Sequence, residues 1–152
     1  IGGTSRALGD YDKSERYLQQ SIAISKKLGD RRITASQLKN LGLTYLDMGD
    51  LLQAKRTLKS GLEISWSAQT IPDALSIVSA YARAIAQQGE LVQALSILLF
   101  VQSQKEVRQI DVDSYRPMVD DLLTELPEEM VAEAKQSAAS LTLAAIVEQL
   151  MP

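Results

Sequence analysis

Apolar residues recur along the chain at intervals of three and four, the spacing of one buried helical face. The pattern predicts helices over residues 11–28, 31–48, 51–68, 72–88 and 91–108. Short polar breaks separate them, and three of these breaks carry the same signature: Leu8-Gly9-Asp10-Tyr11, Met48-Gly49-Asp50-Leu51 and Gln88-Gly89-Glu90-Leu91. Their glycines, at 9, 49 and 89, lie 40 residues apart. Five residues after each glycine comes a small residue, Ser14, Ala54 or Ala94, and nine residues after it a leucine, Leu18, Leu58 or Leu98. Glycine at such a point suits the left-handed residue that ends a helix, and the acid behind it suits the N-cap of the next. Each glycine–acid pair therefore predicts a helix that ends and an antiparallel partner that begins. The small residue lets the two helices approach, and the leucine fills the space between them. Leu28-Gly29-Asp30 predicts a further junction, and Ile71-Pro72-Asp73 a helix start with proline in its first turn.

Beyond residue 108 the 40-residue pattern lapses. Gln109 to Ser114 reads as a turn, with Asp113 or Ser114 as N-cap. Tyr115, Met118, Val119, Leu122, Leu123 and Leu126 then predict a helix up to Leu126. Pro127 starts another, reaching roughly Ala139, with Met130, Val131 and Ala134 on one side, and Thr142 caps a last helix through Leu150. The expected organisation is a truncated repeat over 1–30, full repeats over 31–70 and 71–108, and capping helices over 109–152. A stack of repeats needs an end that covers its last apolar face, and the last segment suits that task.

Composition narrows the chemistry. The chain of 152 residues has no cysteine and no histidine, which removes disulfides, Cys- or His-based zinc sites and any Ser-His-Asp arrangement. No catalytic cluster, metal site or cofactor site is evident, so the expectation is a non-enzyme without cofactors. The formal charge is -3 with no basic stripe, which argues against nucleic-acid binding by this segment. No apolar run approaches the ~20 residues of a membrane span. The opening Ile1-Gly2-Gly3-Thr4 has neither an initiator Met nor a signal-peptide pattern and reads as a cut within a longer chain.

The repeat resembles the tetratricopeptide repeat family. In the second repeat Leu38, Leu41-Gly42, Tyr45, Gly49-Asp50, Ala54, Leu58, Gly61 and Ile64 carry the resemblance. In the third it is Val78, Tyr81-Ala82, Ile85, Gly89, Ala94, Leu98 and Val101, and in the first Gly2, Gly9-Asp10, Tyr11, Ser14, Leu18 and Ser21. The resemblance implies an all-α fold of antiparallel helix pairs stacked into a right-handed superhelix, an α-solenoid, whose first helices line a concave groove. That groove would present Ser36, Lys39, Asn40, Leu43 and Asp47 from one repeat and Ser76, Ser79, Ala80, Arg83 and Gln87 from the next. It would receive a protein or peptide partner. A carboxylate clamp of the kind some members use is incomplete: Asn40 matches one position, but Ser76 and Ala80 stand where Lys and Arg are required.

The long period is similar to the arrays of large bacterial signal-transduction ATPases and their associated transcriptional regulators. The tail, Asp121 to Glu129 and Leu141 to Val147, resembles the end of such proteins. This second resemblance implies a cytoplasmic signal-sensing segment, with any nucleotide- or DNA-binding domain outside the chain. No phosphate-binding loop occurs within it.

Two other functions remain open: a receptor for a small-molecule inducer, and a homo-oligomerisation module that self-associates through apolar surface around Tyr11, Leu18 and Ile22. Tyr45 and Tyr81 are expected in the core, and Trp66 is expected to pack against the following repeat. Glu128-Glu129 is expected to favour the start of its helix, and Lys26-Lys27 with Arg31-Arg32 to form a solvated hairpin end.

Overall fold

The computed structural model describes residues 10–151, so the expected hinge at Gly9 and the signature residue Gly2 lie outside the described residues. Among the described residues are eight α-helices and no strand. They are α1 (Tyr11–Leu28), α2 (Arg31–Met48), α3 (Leu51–Ser67), α4 (Ile71–Gln87), α5 (Leu91–Gln102), α6 (Gln109–Glu125), α7 (Glu128–Ser140) and α8 (Leu143–Leu150). The chain divides into two compact units, Ile1–Ile77 and Val78–Pro152, and the boundary along the chain falls in α4.

The first five helices are punctuated every 20 residues by one backbone motif. Residues 29, 49, 69 and 89 all have left-handed backbone, with φ of 70°, 81°, 59° and 89°. At each, the next N–H reaches back to the fifth carbonyl before it: Asp30 to Ser25, Asp50 to Tyr45, Thr70 to Ser65 and Glu90 to Ile85, at 2.9–3.2 Å. These paired bonds satisfy carbonyls that a helix end leaves open, and they reverse the chain. Three of the four sites hold glycine. The fourth holds Gln69, whose side chain makes the same backbone more costly. Gln69→Gly is therefore expected to stabilise the protein by about 1 kcal/mol, read as a higher urea midpoint at unchanged slope. An unchanged or lower midpoint would show that the Gln69 side chain contributes as much as its backbone costs.

Capping follows the expectation at Asp30 and Asp50 and departs from it at Asp10 and Glu90, neither of which makes a side-chain cap bond. Asp30 accepts the Ile33 N–H at 3.0 Å and Asp50 accepts the Gln53 N–H at 3.2 Å. Glu90 makes no side-chain cap bond, because its extra methylene carries the carboxylate past the N–H groups that the shorter Asp reaches. Thr142 caps α8 as expected, accepting the Ala145 N–H at 3.1 Å.

In the first unit α2 packs against both α1 and α3. Leu18, Ile22, Leu38, Leu41, Leu58 and Leu62 are buried there. The helices touch where side chains are smallest. A Cβ added to Gly42 would lie 2.6 Å from Cγ and Cδ2 of Leu58, and 3.5 Å from the Ala54 carbonyl oxygen. One added to Gly61 would lie 3.2 Å from Ile77 Cδ1 and 3.3 Å from the Ala35 carbonyl. Leu18 and Ile22 are thus core residues, not the self-association surface expected of them. The apolar side chains α1 leaves in solvent are Tyr17, Ile24 and Leu28, on the helix face away from its buried stripe.

In the second unit α5 packs on α6 and α7. Two boundaries differ from expectation. The fifth helix ends at Gln102 rather than 108. The Ser103 hydroxyl and the Gln104 amide donate to the Phe100 carbonyl at 2.6 and 3.3 Å, beside the Ser103 N–H at 3.1 Å, so three donors gather on one carbonyl at the helix end. The sixth helix begins at Gln109, six residues before Tyr115, and its N-cap position is Arg108 rather than Asp113 or Ser114. Val112 supplies a buried position one turn ahead of Tyr115, and Gln109 bonds Asp113 at 2.8 Å across that turn.

Candidate partner-binding face

The exposed side of α2 is the most built surface of the first unit. Thr34, Ala35, Leu38, Leu41, Gly42, Tyr45 and Leu46 take its buried positions. Ser36, Asn40, Leu43 and Asp47 stand clear of them, spaced four, three and four residues apart, so they share one stripe. Ser36 and Asp47 are exposed, while Asn40 and Leu43 are half-buried. One apolar group thus sits among hydrogen-bonding groups of both kinds.

The start of α4 fixes this face from the side. Lys39 Nζ donates to Ser76 Oγ at 2.9 Å, and Arg32 Nε donates to Asp73 Oδ2 at 3.2 Å. Both bonds link residues about one repeat apart. Sequence reasoning placed Ser76 in the open groove, but it is buried at 3% exposure and holds Lys39. Ser79, at 7%, is buried as well. Within α4, Arg83 is half-buried and Gln87 exposed, one and two turns beyond Ser79. Arg32 and Asp73 were missed, since Arg31-Arg32 read as a solvated end. The 40-residue period contains the signal, because it places residue 33 beside residue 73.

Two tyrosines carry the clearest electrostatic perturbation. Tyr45 is buried, as expected, and its hydroxyl donates to Glu15 Oε1 at 2.7 Å, tying α2 to α1. Burial first, then the hydrogen bond and the charge of Glu15, push its pKa up to about 12. In the second unit Tyr115 is also pushed up to about 12, by burial and then by the charge of Asp111. Its hydroxyl is buried and has no hydrogen-bond partner among the described residues. In both cases the fold holds the neutral phenol while an unfolded chain would ionise near ~10. Their stabilisation is thus complete below pH ~10 and is lost as pH rises towards 12, about 2 kcal/mol for each residue. Urea melts between pH 9 and 12 should show this fall. Tyr115→Phe should remove part of it and raise stability at neutral pH by about 1 kcal/mol, since phenylalanine leaves no buried hydroxyl unbonded. Tyr45→Phe should instead lower stability by about 1–2 kcal/mol through loss of the Glu15 bond. Equal effects of the two changes would contradict the assignment of one bonded and one unbonded hydroxyl.

The remaining clefts are small and open. Trp66 is half-buried and lines one of about 510 Å³ with Gln69 and Ile71. Phe100 is buried. Among the described residues no group of three or more carboxylates is placed to hold a metal ion. No described helix is long and apolar enough to cross a membrane.

Comparison with known proteins bears on the N-terminal part. The family model for the tetratricopeptide repeat matches residues 1–65, which supports that assignment for this stretch. No curated protein and no solved structure matches the chain significantly. Tetratricopeptide repeats generally mediate protein–protein interaction and are typically non-catalytic.

Proposed function

We propose, with the tetratricopeptide match as premise, that this chain is a non-catalytic protein-binding scaffold and that the α2 face receives the partner. The observation that carries this reading is the stripe Ser36–Asn40–Leu43–Asp47, held in place by the Lys39–Ser76 and Arg32–Asp73 bonds. A side chain of the partner would pack on Leu43 while Asn40 and Ser36 bond its backbone or polar groups. Arg83 and Gln87 lie on the part of α4 that belongs to the second unit. Side chains already ordered by intramolecular bonds lose less entropy when a partner binds.

The similarity of the long period and of the tail to bacterial signal-transduction regulators supports a finer reading. The chain would be a signal-sensing segment of a larger cytoplasmic regulator, passing partner occupancy to domains elsewhere in that protein.

Site-specific photo-crosslinking tests the face. A crosslinker at Asn40 or Leu43 is expected to capture one partner from the native host, and one at Gln53 or Arg56, exposed on α3, to capture none. Leu43→Glu should weaken that complex by about tenfold or more. Equal capture from both helices, or binding indifferent to Leu43→Glu, would reject the α2 face.

A further inference from the structure

Charge is divided unevenly between the two units. Residues 1–77 contain 11 Lys and Arg against 8 Asp and Glu, a net of +3. Residues 78–152 contain 5 against 11, a net of -6. In the second unit the acids gather where α6 gives way to α7: Asp120, Asp121, Glu125, Glu128, Glu129 and Glu133 are all exposed. An open cleft of about 440 Å³ lies at this junction. Leu123, Leu126, Val131 and Ala132 give it an apolar lining, with Thr124, Glu128 and Lys135 completing it.

The first unit carries the inverse arrangement. Near the end of α1, Ile24 and Leu28 are 60% and 77% exposed. They lie four residues apart on one face; Lys27, three residues after Ile24, is exposed at the edge of that face, and Arg31 is exposed just past the turn at Gly29. An apolar pair framed by cations and an apolar cleft framed by carboxylates are complementary in both respects.

We infer that two copies of this chain associate head to tail, the end of α1 in one seating Ile24 and Leu28 in the α6–α7 cleft of the other. Lys27 and Arg31 then face Asp121, Glu125 and Glu128. The two patches are different surfaces, so the contact is heterologous, and each copy keeps one of each free for a further copy. The patch is small, which makes the association weak and dependent on charge for its orientation. It is separate from the α2 face and stands or falls apart from it.

Sedimentation equilibrium of the 152-residue chain tests this, from about 10 μM to about 1 mM, across the range expected of small transient contacts. The weight-average mass should climb above 16.7 kDa with concentration at low salt. It should return towards that value at about 0.5 M NaCl, where the Debye length falls to roughly 4 Å. The double variants Lys27→Glu/Arg31→Glu and Asp121→Lys/Glu125→Lys change exposed residues only, and circular dichroism should confirm intact helices. Each alone should weaken association by about tenfold or more. An equimolar mixture of the two should restore it, because each supplies the unaltered patch that the other lacks. A chain that stays at 16.7 kDa throughout overturns the inference. So does association untouched by the α6 variant, or a mixture that fails to recover, either of which would indicate symmetric pairing of α1 alone.

Discussion

Leucine in place of Gly42 is expected to unfold the α2–α3 hairpin. The space a side chain needs is already taken by Leu58, 2.6 Å from the position of the new Cβ and fully buried. The contact reaches the branch carbon Cγ as well as the Cδ2 methyl, and Leu58 is wholly enclosed, so a change of rotamer has no open space to enter. Alanine is the milder test. It gains about 1 kcal/mol in helix propensity but forces overpacking worth roughly 1–3 kcal/mol, for a net loss near 1 kcal/mol. Leucine adds three more carbons at the same point, and a loss above about 4 kcal/mol is expected. Urea titrations followed by circular dichroism and by the fluorescence of Trp66, which lies in the same unit, would measure both. A Gly42→Leu protein with the parent midpoint would mean that α2 and α3 do not meet here.

Arginine in place of Ala134 should release α7 from the second unit. Ala134 is the one buried residue of α7 and is completely enclosed. Its carbonyl accepts the buried Ser96 hydroxyl from α5 at 3.3 Å. A charged side chain there must either be buried without a partner or push the helix away, and the expected loss is about 3 kcal/mol or more. Hydrogen exchange should show amides of Glu128–Ser140 losing protection, while those of α2 and α3 keep theirs. Retained protection across α7 would show that the helix is anchored by something other than this contact.

These two sites illustrate what the amino-acid pattern reveals and what it conceals. Gly42, Ala54 and Leu58 announce themselves because close helix approach demands small residues at fixed spacing, and the spacing repeats. The glycine turns are equally plain, since left-handed backbone selects glycine. The turn at Gln69 is hidden for the same reason: the backbone is the same, but the residue that would reveal it is absent, and only the 20-residue interval points there. Helix ends in the second unit were the least legible. Ser103 and Gln104 end α5 through side-chain bonds to a carbonyl, which no periodicity displays. The early start of α6 was obscured by the polar run Gln109 to Ser114, whose Asp113 and Ser114 suit an N-cap but stand inside this helix.

The candidate face was legible in part. Ser36, Asn40, Leu43 and Asp47 lie where helical spacing put them. Ser76 and Ser79 are buried, and burial depends on tertiary packing that the local spacing of a helix does not display. The Arg32–Asp73 pair joins residues 41 apart and becomes visible only once successive repeats are laid side by side.

The most direct test of the helix-pair architecture is a set of nuclear Overhauser contacts between the Hα protons of Gly42 and the methyl groups of Leu58 in the labelled protein. Strong contacts are predicted, together with a break in sequential helical contacts at Gly49–Asp50. An unbroken helix through Gly49, or strand-type contacts across Leu41 to Leu58, would contradict the account.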